Sequence, residues 1–188
     1  MNNLNHKFIF IGSSTGGPSL LEKIVASLPT RVNATIVLAQ HMQRVPLVSF
    51  AKRLDRISKI DVILVDKKTV LESSKVYILY DSAQVIQEKN RSYLDMVKED
   101  TFYHPSIDIL FSSAKILKSE ELYFYILTGI GRDGVDALKL VEHCATRRIA
   151  QDQNSSAVYG MPRAAYEEGC IDEVKSIDEI IDEILRIV

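Results

Sequence analysis

FIFIGSSTGGP, residues Phe8–Pro18, is where one periodicity gives way to another. Phe8–Ile11 is an uninterrupted apolar run ending at Gly12, the pattern of a strand buried on both faces. Beyond it Leu20, Leu21, Ile24, Val25 and Leu28 recur at helical spacing. Passing from such a strand into a helix needs a sharp turn. Gly12-Ser13-Ser14-Thr15-Gly16 fits G-x-S-x-G, in which a serine tops that turn. Gly12 and Gly16 are expected to leave room for it, with Ser14 exposed at the helix N-terminus, where free backbone N–H groups favour an oxyanion. The same residues suit a plain Ser/Thr-capped helix after a buried strand, so the chemistry stays open at this point.

The rest of the chain repeats the strand-then-helix pattern. The first helix is expected from Pro18 to just before Pro29. A second buried strand follows at Thr35–Gln40, then a helix over Val45–Ile57 and a strand over Asp61–Val65. One helix between the first two strands suits a βαβ crossover, which makes them parallel and puts their C-terminal ends on one sheet edge. From Thr69 to Val97 the runs shorten to Lys75–Tyr80, Ala83–Gln87 and Arg91–Val97. Asp81-Ser82 and Lys89-Asn90 separate them like hairpin turns, so antiparallel strands are expected at one sheet edge. Ser106 is the expected N-cap of a helix over Ile107–Leu117. Leu122–Leu127 and Arg148–Gln151 read as strands; Val135–Cys144, Met161–Glu168 and Ser176–Val188 read as helices. In the last, Ile177, Ile180, Ile181, Ile184 and Leu185 are expected to face inward. The fold class is therefore α/β: a three-layer α/β/α, doubly wound, mostly parallel sheet with an antiparallel hairpin at one edge.

With 188 residues, 46% hydrophobic and 26% charged, the chain suits one well-buried domain. A net charge of −2 gives no whole-chain reason to bind nucleic acid or an anionic membrane. No apolar run approaches the roughly 20 residues that span a bilayer, and MNNLNHK is too polar for a signal peptide. A cytoplasmic monomer, without membrane insertion, is expected. Cys144 and Cys170 lack metal-type spacing and read as partly buried free thiols. His6 in the tail, His104 in a loop and His143 on a helix also lack metal-type partners, so no metal or other cofactor is expected. Of eight glycines, six lie at Gly12, Gly16 and Gly17 or at Gly129, Gly131 and Gly134, marking two turns of special geometry.

Ser14, His41 and Asp133 each follow a strand of the expected parallel sheet, on its ligand-binding edge. A serine needs a base to act as a nucleophile at neutral pH; imidazole is such a base, and a carboxylate orients it. Equally, His41 could be a polar strand end and Asp133 an ordinary helix N-cap. A rival reading takes Gly129-Ile130-Gly131-Arg132-Asp133-Gly134 as the G-x-G-x-x-G of a dinucleotide-binding module, with Asp152 18 residues beyond Gly134. Against it, only 54 residues follow Gly134, and Asp133 would repel a pyrophosphate. A signalling module without catalysis is a third reading.

IGSSTGGP, AQHM, HPSIDILF, LTGIGRDG and IAQDQNSSAVYGMPRAA, taken together over Lys7–Val174, closely resemble the catalytic domain of the chemotaxis protein-glutamate methylesterase (CheB) family. The resemblance implies hydrolysis of glutamate γ-methyl esters on the cytoplasmic helices of methyl-accepting chemotaxis receptors, with deamidation of receptor glutamines. It implies Ser14 as nucleophile, His41 as base and Asp133 as orienting acid, with Thr15, Gly16, Ile130, Gly131 and Met161 around the oxyanion and substrate. It also implies an N-terminal receiver domain, for which residues 1–7 leave no room, so the chain is expected to be either an excised domain or a natural receiver-less form: a single catalytic domain over residues 1–188, active without phosphorylation. The sequence departs from the family pattern at Ile130 and Arg132, where LTGMGNDG is common, and at His104, where arginine is frequent. It departs again at Leu79–Ser82, where a Pro-Gly hairpin is usual. Arg132 is expected to add a cation beside Asp133.

Overall fold

The computed structural model describes residues 6–98, 101–117 and 120–188; residues 1–5 of the expected polar tail lie outside them. In chain order the elements are β1 (Lys7–Ser13), α1 (Gly17–Ser27), β2 (Ala34–Gln40), α2 (Arg44–Ile57), β3 (Val62–Val65), β4 (Thr69–Val70), β5 (Lys75–Leu79), β6 (Ala83–Glu88), β7 (Arg91–Met96), α3 (Ile107–Ser113), β8 (Glu121–Ile126), α4 (Val135–Leu140), β9 (Arg147–Gln151), α5 (Met161–Glu167), β10 (Glu173–Lys175) and α6 (Ile177–Ile187). A 3-10 turn, Ala114–Ile116, extends α3. No helix among the described residues is long and apolar enough to cross a membrane.

The apolar run at Phe8–Ile11 forms the middle of a seven-stranded sheet ordered β10-β9-β8-β1-β2-β5-β3, in which every ladder is parallel. Its side chains alternate between two apolar layers. Ile9 and Ile11 join the cluster under α1, α2 and α6, while Phe8 and Phe10 join the one under α3, α4 and α5. Phe10 stacks on Phe124 at 5.3 Å, and Phe111 meets the Phe124 ring edge-on at 5.2 Å. Complete burial of one such ring stabilises the fold by about 1.5–3 kcal/mol. The chain runs outward from β1 through β2, then returns to pair β8 on the other side, so the strand order reverses between β1 and β8. The two glycine-rich turns leave the C-terminal ends of these two strands, at the position where open α/β sheets hold ligands.

The α/β/α architecture is as expected, with two corrections. Lys75–Leu79 is not part of a hairpin; it lies inside the main sheet between β2 and β3, parallel to both. The hairpin is β6–β7 alone, and with β4 it makes a separate three-stranded antiparallel sheet rather than an edge of the large one. That small sheet is held to α3 by Ala83, Val85 and Leu94, and by the Val85 amide donating to Ser113 Oγ at 2.8 Å. The short strands β4 and β10 were not anticipated. α4 stops at Leu140, which leaves His143 and Cys144 in turns. His6 is not a free tail residue: it hydrogen-bonds Thr35 Oγ1 at 2.7 Å and packs edge-on against Phe8. In α6, Ser176 and Glu179 form a capping box, and Leu185 stays partly exposed instead of facing inward.

Gly12 belongs to β1 and not to the turn. A Cβ there would lie 2.6 Å from Ile107 Cγ2, so glycine lets the first residue of α3 sit on the strand. Gly12→Ala must displace a β-branched side chain at a helix start and is expected to cost about 1–3 kcal/mol. The unfolding free energy from urea titration at neutral pH checks this.

Candidate active site

β1 ends at Ser13, and Gly16, with φ of +86°, caps α1. Ser14 therefore stands in the turn, two residues ahead of the cap, and its exposure is 9% rather than the open position expected. Its amide donates to Thr128 O at 2.9 Å, which joins the turn after β1 to the turn after β8. His41 directly follows β2, and its amide donates to Ser13 O at 2.9 Å. Asp133 lies in the second glycine turn and is 2% exposed. The structure thus places all three residues beyond the C-terminal ends of adjacent strands.

The link between His41 and Asp133 is direct, with His41 Nε2 2.7 Å from Asp133 Oδ2. A carboxylate can only accept, so Nε2 carries the proton and Nδ1 keeps the free lone pair. Ser14 Oγ forms no hydrogen bond with His41 in this structure. Asp133 also accepts from the Ile107 amide at 2.7 Å and the Asp108 amide at 3.0 Å. It therefore serves a helix N-terminus, as one reading of the sequence had it, but that of α3 and not of the α4 that follows it; the N-cap of α3 is Ser106, as expected, its Oγ accepting from the Ile109 amide at 3.3 Å. Asp108 reciprocates: its Oδ1 accepts from the Ala137 amide, in the first turn of α4, at 2.8 Å. Burial raises the Asp133 pKa, but the hydrogen bonds from His41, Ile107 and Asp108 outweigh it and hold this carboxyl below its ordinary value. For Asp108 burial is the largest effect and the negative Asp133 adds to it; against the Ala137 amide they raise its pKa to about 6.

Two buried glutamines, unremarked in the sequence, hold the turns. Gln40 accepts from Ser13 Oγ at 2.7 Å and donates to Ser14 O at 3.0 Å and His41 O at 2.8 Å. One amide thereby ties the serine to the histidine. Gln151 accepts from the Thr128 amide at 2.8 Å and donates to Ser155 O at 2.8 Å. The signal available for both was a glutamine closing a strand directly after two apolar residues, Leu38-Ala39 in β2 and Ile149-Ala150 in β9. Gly129 is required for close approach, since a Cβ there would come within 2.6 Å of Ser14 Cβ and 2.4 Å of Met161 Sδ. Met161, expected near substrate, is fully buried and packs behind this turn as support. Among the described residues the backbone N–H groups of Thr15, Gly16, Ile130 and Gly131 donate to no protein acceptor, and the Ile130 side chain is 63% exposed.

Tyr103 was also missed. Its ring lies face-to-face with the His41 imidazole, at 4.9 Å between centroids and 7° between planes. Arg132 does not approach Asp133 as expected; it turns outward to Asp136 at 3.0 Å and Glu168 at 3.6 Å. The departures at Leu79–Ser82 and His104 meet each other: Asp81 bonds His104 Nδ1 at 3.1 Å and pairs with Arg44. The dinucleotide reading has no support in this geometry. Asp108 occupies the N-terminus of α4, where a pyrophosphate would have to bind, and Asp152 is taken up by the Ser155 amide at 2.9 Å.

Fold and site together define an α/β domain with a serine, an oriented imidazole and a buried carboxylate at the switch point of a parallel sheet. The family model for CheB methylesterase matches residues 9–184. The chain is 37% identical to a protein-glutamate methylesterase/protein-glutamine glutaminase 1 of Pseudomonas fluorescens, over 95% of this chain and 54% of that one. It is 31% identical to the protein of that name, without the numeral, from Halobacterium salinarum, over 94% of this chain and 52% of the other. The crystal structure of the Thermotoga maritima CheB methylesterase catalytic domain superposes with a TM-score of 0.89 at 31% identity, covering 98% of this chain and all of that one. The chain belongs to the CheB methylesterase family. It spans about half the length of the curated relatives it matches.

The carboxylate exchange makes a pH prediction. Because the Asp108 pKa is raised on folding to about 6, its contribution to stability is complete below its unfolded value and is lost as pH rises through 6. Asp133 runs the other way, losing its contribution only as pH falls through its depressed value. Other groups, His6 among them, also titrate between pH 4 and 7, and subtracting the Asp108→Asn curve removes their contribution. The unfolding free energy of wild type minus that of Asp108→Asn is expected to fall by up to about 3 kcal/mol across that interval, measured by urea titration at each pH.

Proposed function

We propose that this chain hydrolyses glutamate γ-methyl esters on methyl-accepting chemotaxis receptors, and deamidates receptor glutamines, in chemotactic adaptation. The observation that carries the reading is the 2.7 Å bond from His41 Nε2 to Asp133 Oδ2 beside a G-x-S-x-G turn. The names of its relatives, protein-glutamate methylesterase/protein-glutamine glutaminase, supply the substrate class.

In this reading Ser14 Oγ swings to His41 Nδ1 when substrate binds, as catalytic hydrogen bonds often tighten only in the complex. Nδ1 takes the hydroxyl proton while Oγ attacks the ester carbonyl. The free amides at Thr15, Gly16, Ile130 and Gly131 offer donors to the oxyanion. Asp133, held negative by its donors, stabilises the imidazolium. Collapse of the adduct breaks the C–OCH3 bond, and methanol leaves with the proton from Nδ1. Water then gives a proton to His41 and attacks the acyl-enzyme, releasing the glutamate carboxyl and restoring Ser14. From glutamine the first leaving group is ammonia, which needs the same proton from His41.

Methanol release from methylated receptor membranes tests the reading. Ser14→Ala is expected to keep the native circular dichroism and to lose about 10⁴–10⁶ in rate. A folded Ser14→Ala protein within tenfold of wild type overturns the serine mechanism. Loss without change of fold rules against the non-catalytic reading.

A further inference from the structure

His41 is anchored along one edge by Asp133, and one edge hydrogen bond leaves an aromatic ring free to tilt about that bond. Something must hold its face. We infer that Tyr103 is the positioning residue that sets the plane of His41, an inference that rests on His41 being the base. The two rings are 4.9 Å apart and within 7° of parallel.

Tyr103 is itself held from several directions. Its hydroxyl lies against Gly131, where a Cβ would come within 2.4 Å of Oη. Gly131, with φ of +93°, therefore answers two demands: a left-handed turn and room for the phenol. Phe102, 91% exposed, meets the Tyr103 ring edge-on at 4.9 Å. The Tyr103 carbonyl accepts from Thr101 Oγ1 at 2.8 Å. The next residue, His104, is tied to Asp81, and the Ser106 amide donates to Ser82 Oγ at 2.9 Å.

Residues 103–108 thus govern His41 twice. The ring of Tyr103 covers its face, and the amides of Ile107 and Asp108 hold the carboxylate at its edge. A proton arriving at Nδ1 turns the imidazole into a cation lying on the electron-rich face of the phenol. The stacking needs the ring and not the hydroxyl, which separates two variants: Tyr103→Leu removes the aromatic face, and Tyr103→Phe keeps it.

The test is methanol release with methylated receptor membranes, using Tyr103→Leu, Tyr103→Phe and Ser14→Ala, together with the His41 ring-proton resonances. Tyr103→Leu is expected to lower kcat about 10- to 100-fold with KM within about twofold of wild type, because a misplaced base slows chemistry without weakening binding. Tyr103→Phe is expected to recover most of that rate. In wild type and Tyr103→Phe the Hε1 and Hδ2 protons of His41 should be shifted upfield by the stacked ring, and in Tyr103→Leu that shift should be lost. If Ser14→Ala is inactive while Tyr103→Leu keeps the wild-type kcat, this inference alone falls. A Tyr103→Phe rate as low as that of Tyr103→Leu overturns it as well. If Tyr103→Leu does not fold, the resonances of wild type decide, and an unshifted His41 overturns it. An active Ser14→Ala brings down the esterase reading and this inference together.

Discussion

The carboxylate of Asp133 serves two structures at once. A carboxylate this deeply buried is sustained only by several donors, and a helix N-terminus left without acceptors is equally costly. Asp133 and the first turn of α3 solve each other's problem, while Asp108 does the same for α4 in the opposite direction. The exchange clamps the two helices side by side on one face of the sheet, with the remaining acceptor capacity of Asp133 aimed at His41. Orientation of the imidazole is in this sense a product of helix capping. Removing Asp133 would take away the histidine's partner and the acceptor of two α3 amides together, leaving only Ser106 Oγ, on the Ile109 amide, at that helix start.

The strong local signals could be read from the sequence. Two glycine clusters flanked by buried strands located the turns after β1 and β8, and parallel pairing put Ser14, His41 and Asp133 on one edge. Which helix Asp133 would serve could not be read, because the α3 amides it accepts from, those of Ile107 and Asp108, lie 26 and 25 residues earlier in the chain and meet it only in the folded packing. Lys75–Leu79 was misread for a related reason. Its short β-prone run and the following Asp81-Ser82 are what a hairpin would show, whereas its true partners, β2 and β3, are set by long-range parallel register. Gly12 looked like a turn glycine from G-x-S-x-G, yet it is a strand residue that makes room for Ile107.

The residues missed share a character. Gln40, Gln151, Asp108 and Tyr103 act on other protein groups, so no motif of reacting side chains includes them. Gln40 is the clearest case, since its value lies in two backbone carbonyls that become neighbours only when β1 and β2 pair. A polar side chain at the end of a buried strand must find partners, and here the available ones are the carbonyls of the serine and the histidine.

Of the positions at which the sequence is expected to depart from the pattern it resembles, Ile130, Arg132 and His104 are exposed. Arg132 is exposed and is drawn to Asp136 and Glu168, away from the buried carboxylate, so exchange at this position changes the rim and not the charge balance around His41. Exposed ion pairs of this kind contribute little to stability and can be replaced one for another. His104 and Asp81 are each other's partner, with Arg44 completing the group. That group fastens the loop bearing Tyr103 from outside, while Pro105 and Ser106 carry it inward to the helix that caps on Asp133. Inside, Asp133 and Asp108 are confined by donors on both helices, and no comparable exchange of partners is open to them. The site therefore has a rigid interior set by buried hydrogen bonds and a replaceable exterior set by solvent-exposed charge, and the stacked ring of Tyr103 stands at the boundary between them.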